Sequence, residues 1–103
     1  MDSDTLTINL PRKNKLYYIL TYDIACPKRI AKALKTCRKY LHWIQNSVFE
    51  GELTESQYNR LLKELKQIIE EDEDSLITFC LNDRRYLQKT VTGVEKNDIS
   101  NFI

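Results

Sequence analysis

The residues that most constrain the fold are 16–24, LYYILTYDI, because both sets of alternating positions are mainly apolar. Successive side chains of a β-strand point to opposite faces of its sheet. A strand with two apolar faces is typical of the centre of a sheet that is covered on both sides. Pro27 follows closely and favours the first turn of a helix. These residues therefore predict a central strand that leads directly into a helix.

The helix predicted after Pro27 carries two stripes of residues with helical spacing. Four apolar residues predict the face that packs on the sheet: Ile30, Leu34, Cys37 and Leu41. Four lysines lie on another face and form what we call the lysine ridge: Lys28, Lys32, Lys35 and Lys39. A basic ridge is typical of a surface that binds nucleic acid, and the alternative is a solvated helix face.

A second helix is predicted after a β-prone region at residues 42–53, in which the polar residues 45–47 predict a bend or a tight hairpin. Thr54 and Gln57 have the spacing of a capping box, and apolar residues with helical periodicity follow them. The acidic loop, residues 70–74, opposes the helix dipole, so we expect the helix to end there.

Two more strands are expected towards the C-terminus: a buried strand at residues 75–81 and a more polar one at residues 86–92. The order of elements predicts an α+β, ferredoxin-like βαββαβ sandwich with an extra C-terminal strand. Two helices cover only one face of such a sheet. The second apolar face of the first strand therefore predicts a homodimer in which another copy covers it.

The chain length of 103 residues fits one domain, predicted at residues 16–93. We expect an N-terminal extension at residues 1–15 and a tail at residues 94–103. Apolar residues alternate in the extension and predict that it packs on another surface: Leu6, Ile8 and Leu10.

The net charge of +1 conceals an asymmetry along the chain. Residues 11–40 contain nine cations and one acid, whereas residues 41–83 contain ten acids and three cations. No apolar stretch approaches the ~20 residues of a membrane span, and the acidic start does not resemble a signal peptide. The three cysteines form no CxxC pair and are expected to be reduced thiols in or near the core. These features predict a cytoplasmic protein without a membrane partner or a zinc site.

Asp23 is the first candidate site residue, because it is the sole acid between Asp4 and Glu50 and ends the apolar strand. A carboxylate beside a basic surface can hold Mg²⁺ against a phosphate. The alternative is an aspartate before a turn that pairs with a lysine. His42 is the only histidine and is expected at a strand edge, since no acid is placed to make it a general base. No P-loop, HExxH or EF-hand pattern is present.

Two motifs together resemble the family of CRISPR-associated protein two: YDI at residues 22–24, followed by a basic helix, and QNSVFEG at residues 45–51 before an amphipathic helix. The resemblance implies a homodimer whose sheets face each other. It implies that Asp23 of both chains binds one shared Mg²⁺ and is the catalytic residue. Arg29 would face phosphate beside the lysine ridge. Three residues would shape the cleft and the dimer contact: Gln45, Ser47 and Phe49.

The resemblance implies a CRISPR adaptation protein that works with the CRISPR integrase in spacer acquisition. Its expected activity is Mg²⁺-dependent endonuclease cleavage of DNA or single-stranded RNA. The alternatives are a non-catalytic dimeric hub that binds DNA for the integrase, or a related toxin-like ribonuclease. Many family members carry a second acid shortly after the first, where this chain has Ala25 and Cys26. This departure predicts weak cleavage.

Overall fold

A computed structural model describes residues 15–95, which form a four-stranded antiparallel sheet with two α-helices. The elements in chain order are β1 (Lys15–Asp23), α1 (Pro27–Cys37), β2 (His42–Gln45), β3 (Val48–Thr54), α2 (Glu55–Lys66), β4 (Ser75–Leu81) and a short 3₁₀ helix (Arg84–Tyr86). The strand order is β2-β3-β1-β4, so β1 lies inside the sheet as predicted. This is the ferredoxin-like arrangement.

The core lies between the two helices and one face of the sheet, which we call the covered face. Antiparallel pairing places Leu20 of β1 opposite Phe49 of β3, and both side chains are fully buried. Leu61 and Leu65 of α2 pack into the same cluster. The Tyr18 ring of β1 stacks on Tyr58 of α2, with ring centroids 4.6 Å apart. Alternate residues of β1 therefore anchor the helices, and the remaining ones lie on the opposite, open face.

Helix α1 begins with Pro27 at its first turn, as predicted, and three of the four residues of the predicted apolar stripe pack on the core: Leu34, Cys37 and Leu41, the last of which lies beyond the end of the helix. Ala33 and Cys37 are completely buried, whereas Ile30 is 39% exposed. Ile30 instead lines a pocket beside the end of β1. The first turn of α1 thus contributes to a surface site and not to the core.

The predicted hairpin is confirmed between β2 and β3, with a two-residue loop of Asn46 and Ser47. Asn46 has a φ of 42°, in the left-handed region where asparagine is tolerated better than most residues. The Ser47 carbonyl accepts a hydrogen bond from the Tyr22 N–H at 3.3 Å. The Ser47 hydroxyl is hydrogen-bonded to the Thr21 hydroxyl at 3.2 Å. These bonds hold the hairpin tip beside the C-terminal end of β1.

The capping box predicted for α2 is confirmed. The Thr54 hydroxyl accepts from the Gln57 N–H at 3.1 Å, and the Gln57 side chain accepts from the Thr54 N–H at 2.8 Å. The helix ends at Lys66, before the acidic loop, as the unfavourable charge at its C-terminus predicts.

The prediction of a buried strand at β4 is wrong on one face, because β4 is an edge strand of the sheet. Thr78 faces the helices, and its hydroxyl accepts a hydrogen bond from the Tyr58 hydroxyl at 3.1 Å. Ile77 and Phe79 lie on the open face and are 51% and 57% exposed. Cys80 is also exposed, so the prediction of a core or near-core cysteine fails at this position.

The predicted C-terminal strand at residues 86–92 is wrong. Asp83 accepts a hydrogen bond from the Arg85 N–H, the 3₁₀ helix follows, and residues 87–95 contain no helix or strand. Lys89 forms ion pairs with Glu50 of β3 at 3.0 Å and with Glu95 at 2.7 Å. Side-chain ion pairs, not a backbone ladder within this chain, therefore connect this segment to the sheet.

The predicted packing of Leu6, Ile8 and Leu10 lies outside the described residues, as does most of the predicted tail. Within residues 15–95, neither helix has the length and apolar character that crossing a bilayer requires.

Candidate metal and nucleic-acid site

Asp23 is the last residue of β1 and pairs with Ser75, the first residue of β4. Its side chain is exposed and lines a pocket of about 330 Å³, together with the neighbouring residues Tyr22, Ile24, Ile30, Asn46 and Ser47. Among residues 15–95, no lysine or arginine forms a salt bridge with this carboxylate. Within this range, Asp23 therefore does not pair with a lysine, contrary to the alternative prediction.

Arg29 is directed to a different carboxylate. Its Nε donates to Asp74 Oδ2 at 2.8 Å and its Nη2 donates to Asp74 Oδ1 at 3.1 Å. Nη2 also donates to Glu73 Oε1 at 3.0 Å. The hydrogen bonds to Asp74 are the main cause that raises the pKa of Arg29. The expected contact of Arg29 with phosphate stays a prediction, and its observed partners belong to the acidic loop.

Asp74 is the residue that the sequence analysis missed. Its side chain is completely shielded from solvent, although it belongs to a run of five acids. Its carboxylate accepts from the N–H groups of Ala25 and Glu70, both at 2.9 Å, in addition to Arg29. These donors, Arg29 first, hold the pKa of Asp74 well below its usual range, against the opposing effect of burial. Nothing in the sequence distinguishes this acid from its solvated neighbours.

Three residues that line the Asp23 pocket carry side-chain oxygen atoms, a carboxylate in Asp23, an amide in Asn46 and a hydroxyl in Ser47, and they lie beside the apolar residues Ile24 and Ile30. Hard oxygen donors suit Mg²⁺, which keeps several waters and needs only one or two carboxylates. The described residues contain no cluster of three or more histidine, cysteine or acidic side chains that could enclose a metal. The residues present therefore fit a Mg²⁺ ion that receives its other ligands from water, phosphate or a second chain.

The lysine ridge divides into two parts. Lys28, Lys32 and Lys35 are exposed, and none of them forms a salt bridge within residues 15–95. Lys39 donates to Glu64 Oε1 of α2 at 2.7 Å, which raises its pKa. The Tyr40 hydroxyl donates to the same carboxylate. Lys39 lies in the turn after α1 and joins that turn to α2, whereas Lys28, Lys32 and Lys35 of α1 extend into solvent.

A match to the sequence model of a known family identifies the family of this chain. The sequence model of the family described as CRISPR associated protein Cas2 matches residues 16–89, which include Asp23, the lysine ridge and the hairpin. The chain belongs to the Cas2 family. A relative from Dictyoglomus turgidum named CRISPR-associated endoribonuclease Cas2 is 46% identical over 82 residues, which are 80% of this chain and 93% of the relative. The relative of the same name from Thermotoga maritima is 42% identical and covers 81% of this chain and 94% of itself.

Solved structures agree with this assignment. A crystal structure of Cas2 superimposes with a TM-score of 0.73 at 35% identity, over 82% of this chain and 94% of that one. The crystal structure of Streptococcus pyogenes Cas2 superimposes with a TM-score of 0.63 at 32% identity, over 73% of this chain and 99% of that one. The predicted Cas2 family and its ferredoxin-like fold are thus confirmed.

The three motif residues expected to shape the Cas2 cleft lie in three different environments. Ser47 lines the Asp23 pocket, and Gln45 is exposed at the end of β2. Phe49 is completely buried on the covered face, where its ring lies 5.9 Å from that of Tyr22. The cleft role predicted for Phe49 is therefore wrong within this chain, because its pairing with Leu20 directs it into the core.

Other candidate residues lie away from the pocket. His42 is exposed on the edge strand β2, as predicted. Cys37 is buried in the core, and this burial raises the pKa of its thiol to about 12, so it stays protonated at neutral pH.

Asn46 lines the Asp23 pocket and was not predicted as a site residue. The Trp43 indole donates to the Asn46 carbonyl at 2.9 Å and supports the hairpin loop from β2.

Proposed function

We propose that this chain is a metal-dependent phosphodiester endonuclease that acts on RNA or DNA in CRISPR spacer acquisition, with Asp23 as its metal-binding and catalytic residue. One observation carries the proposal: the Asp23 carboxylate is exposed at a pocket that Asn46 and Ser47 also line, without a cationic partner among residues 15–95. The name endoribonuclease, borne by the relatives, supports phosphodiester cleavage.

The proposed active form is a homodimer that pairs two open faces. Ile77 and Phe79 expose large apolar side chains on this face, and Ile19 of β1 lies beside them. A small protein seldom leaves such side chains adjacent and uncovered. A twofold axis would also double the number of carboxylates, since each chain supplies one Asp23. One Mg²⁺ shared between the two chains would then have two carboxylate ligands, within the usual number for this ion.

The residues of the chain have separate roles in the proposed reaction. A bound Mg²⁺ would neutralise charge on the phosphate and lower the pKa of water. Asp23 holds that ion, and the bonds from Ser47 to Thr21 and Tyr22 keep the hairpin tip next to it. Lys28, Lys32 and Lys35 attract the nucleic-acid backbone without reading its sequence.

The experiment that tests the assignment compares wild type with Asp23→Asn on matched RNA and duplex DNA, with and without Mg²⁺. Asparagine keeps the size of the side chain but removes the charge that the cation requires. We expect divalent-dependent cleavage to fall at least about a hundredfold, which corresponds to about 2.7 kcal/mol of barrier. Asp72→Asn removes an exposed charge from the acidic loop and is the matched control. Equal cleavage by wild type and purified Asp23→Asn would contradict the catalytic assignment.

A non-catalytic hub that holds DNA for the integrase is the second candidate. The observation in its favour is that one chain offers a single carboxylate at the pocket, while three free lysines remain on α1. Wild-type protein that supports integration in a reconstituted reaction but cleaves neither RNA nor DNA would favour the hub. A toxin-like ribonuclease is distinguished by genomic context, because it would lack an adjacent repeat array and integrase gene.

Both candidates require the lysine ridge to bind nucleic acid. Replacing Lys32 and Lys35 with alanine should weaken duplex binding for every sequence. The log–log salt dependence of affinity should become shallower by about 0.9 for each lost phosphate contact. Lys63→Ala and Lys66→Ala, on the exposed side of α2, provide a matched double variant. An unchanged salt dependence in the ridge variant would identify the ridge as a solvated face.

A further inference from the structure

The junction between β1 and α1 contains one buried residue, Ile24, and one exposed residue, Ala25. Cys26 is the N-cap residue of α1, and hydrogen bonding from the backbone N–H groups of Arg29 and Lys28 lowers the pKa of its thiol. The first turn of α1 contains no acid to favour the helix dipole. Strand pairing ends at Asp23 and Ser75, so the two residues before the cap lie beyond the ladder. The Ala25 N–H therefore lies beyond the ladder, and its acceptor comes from another part of the chain.

Asp74 supplies that acceptor from the position just before the neighbouring strand β4. Its Oδ1 accepts from the Ala25 N–H at 2.9 Å, two residues after Asp23. Both of its oxygens bind Arg29 in the first turn of α1. Its Oδ2 also accepts from the Glu70 N–H at 2.9 Å. One shielded carboxylate thus joins the end of β1, the start of α1 and the acidic loop. A planar guanidinium is suited to this two-oxygen contact, which fixes orientation as well as distance.

We propose that Asp74, acting through Arg29 and the Ala25 N–H, is the positioning residue for the Asp23 metal site. This inference rests on the proposed function, because it assigns a divalent cation to Asp23. Partners that orient a metal ligand typically account for about a tenfold to a hundredfold in metal affinity. Asp74 does not touch the reacting atoms, so its effect is on the occupancy of the site and on the order of the junction.

The test measures Mn²⁺ binding by the electron paramagnetic resonance signal of the free ion, with Mn²⁺ as the probe for Mg²⁺. We expect Asp74→Asn to weaken Mn²⁺ binding by about tenfold or more. The Mg²⁺ concentration for half-maximal cleavage should rise in parallel, while the rate at saturating Mg²⁺ recovers. A residue that only stabilised the fold would lower the folded fraction without moving the metal midpoint. Amide hydrogen exchange at Ala25 should accelerate in the metal-free variant.

Glu73→Gln is the matched control. Glu73 binds the same Arg29 nitrogen at 3.0 Å, but it is 57% exposed and makes no contact with Ala25. We expect it to leave the Mn²⁺ midpoint unchanged. If Asp74→Asn fails to fold, Arg29→Lys retains the buried carboxylate and one positive charge but loses the two-oxygen contact, and it should show the same weaker metal binding.

The two proposals fail in different ways. Mn²⁺ binding that depends on Asp23 but is identical in wild type, Asp74→Asn and Arg29→Lys overturns the positioning role alone. A wild-type protein that binds no Mn²⁺ overturns the proposed metal site and the positioning role together. Weaker binding in Asp74→Asn and Arg29→Lys, with Glu73→Gln unchanged, supports the inference.

Discussion

The two faces of the sheet contain similar apolar residues but differ in what covers them. On the covered face, Leu20 and Phe49 are completely buried beneath the two helices. On the open face, Tyr17 is shielded, with the Arg84 guanidinium 5.6 Å from the centre of its ring, whereas Phe79 remains largely exposed. The open face is thus itself divided, because residues 84–95 reach β1 and β3 but leave β4 uncovered. Apolar character alone does not reveal which residues are buried within the chain.

The largest expected difference between the faces is in the free energy of unfolding. Phe49→Ala should destabilise the protein by about 3–5 kcal/mol, because it opens a cavity in a packed core. Phe79→Ala should affect the stability of the monomer much less, since its ring is already mostly in water. Denaturant unfolding at protein concentrations below dimer dissociation measures both values. Equal losses for the two variants would contradict the division into a covered and an open face.

Acid should weaken the end of the covered face where Asp74 binds Arg29. The pKa of Asp74 is lower in the folded chain than in the unfolded one, where it is about 3.9. The contribution of its charge is therefore complete above that value and is lost as the pH falls through the folded pKa. Between about pH 5 and pH 2, wild type should lose stability more steeply than Asp74→Asn. Parallel pH profiles for the two proteins, measured by denaturant unfolding, would contradict this role.

Residues of the open face should control the formation of the homodimer. Phe79→Ala is expected to raise the dimer dissociation constant about tenfold or more, equivalent to about 1.4 kcal/mol, because a buried interface aromatic is lost. Sedimentation over a range of concentrations measures this constant. Asn59→Ala, on the exposed side of α2, should leave it unchanged. A wild-type protein that stays a monomer at micromolar concentration would remove the basis for a covered open face.

The capping box at the start of α2 should have the smallest effect on stability. Thr54→Ala should cost about 1 kcal/mol of folding free energy, because the Gln57 N–H loses its acceptor. Ser56→Ala, two residues later and exposed, is the control and should change stability by only a few tenths of a kcal/mol. A cost for Thr54→Ala as large as that of Phe49→Ala would mean that the cap is coupled to the core.

The elements that depend on sequence patterns within a few residues were predicted correctly. The alternation of β1, Pro27 at the start of α1, and the Thr54–Gln57 box each act within a few residues. The errors concern residues whose surroundings are set by distant partners. Ile30 has the spacing of a core residue but lies beyond the end of the sheet, and β4 is apolar but occupies an edge. The expected strand at residues 86–92 found no backbone partner within the described chain.

By itself, the sequence determined the order of elements, the apolar strand that forms the sheet centre, the family and the isolated acid at the end of that strand. Alternation, helical spacing and capping are local, so they are readable without knowing which segments meet. Only the tertiary structure decided that Arg29 binds Asp74, 45 residues away, and that Lys39 binds Glu64, 25 residues away. Sheet register and helix packing bring these charges together, and burial then separates one acid of the acidic loop from four others. Among residues 15–95, Asp23 and the three lysines of α1 form no such ion pair and remain exposed to solvent.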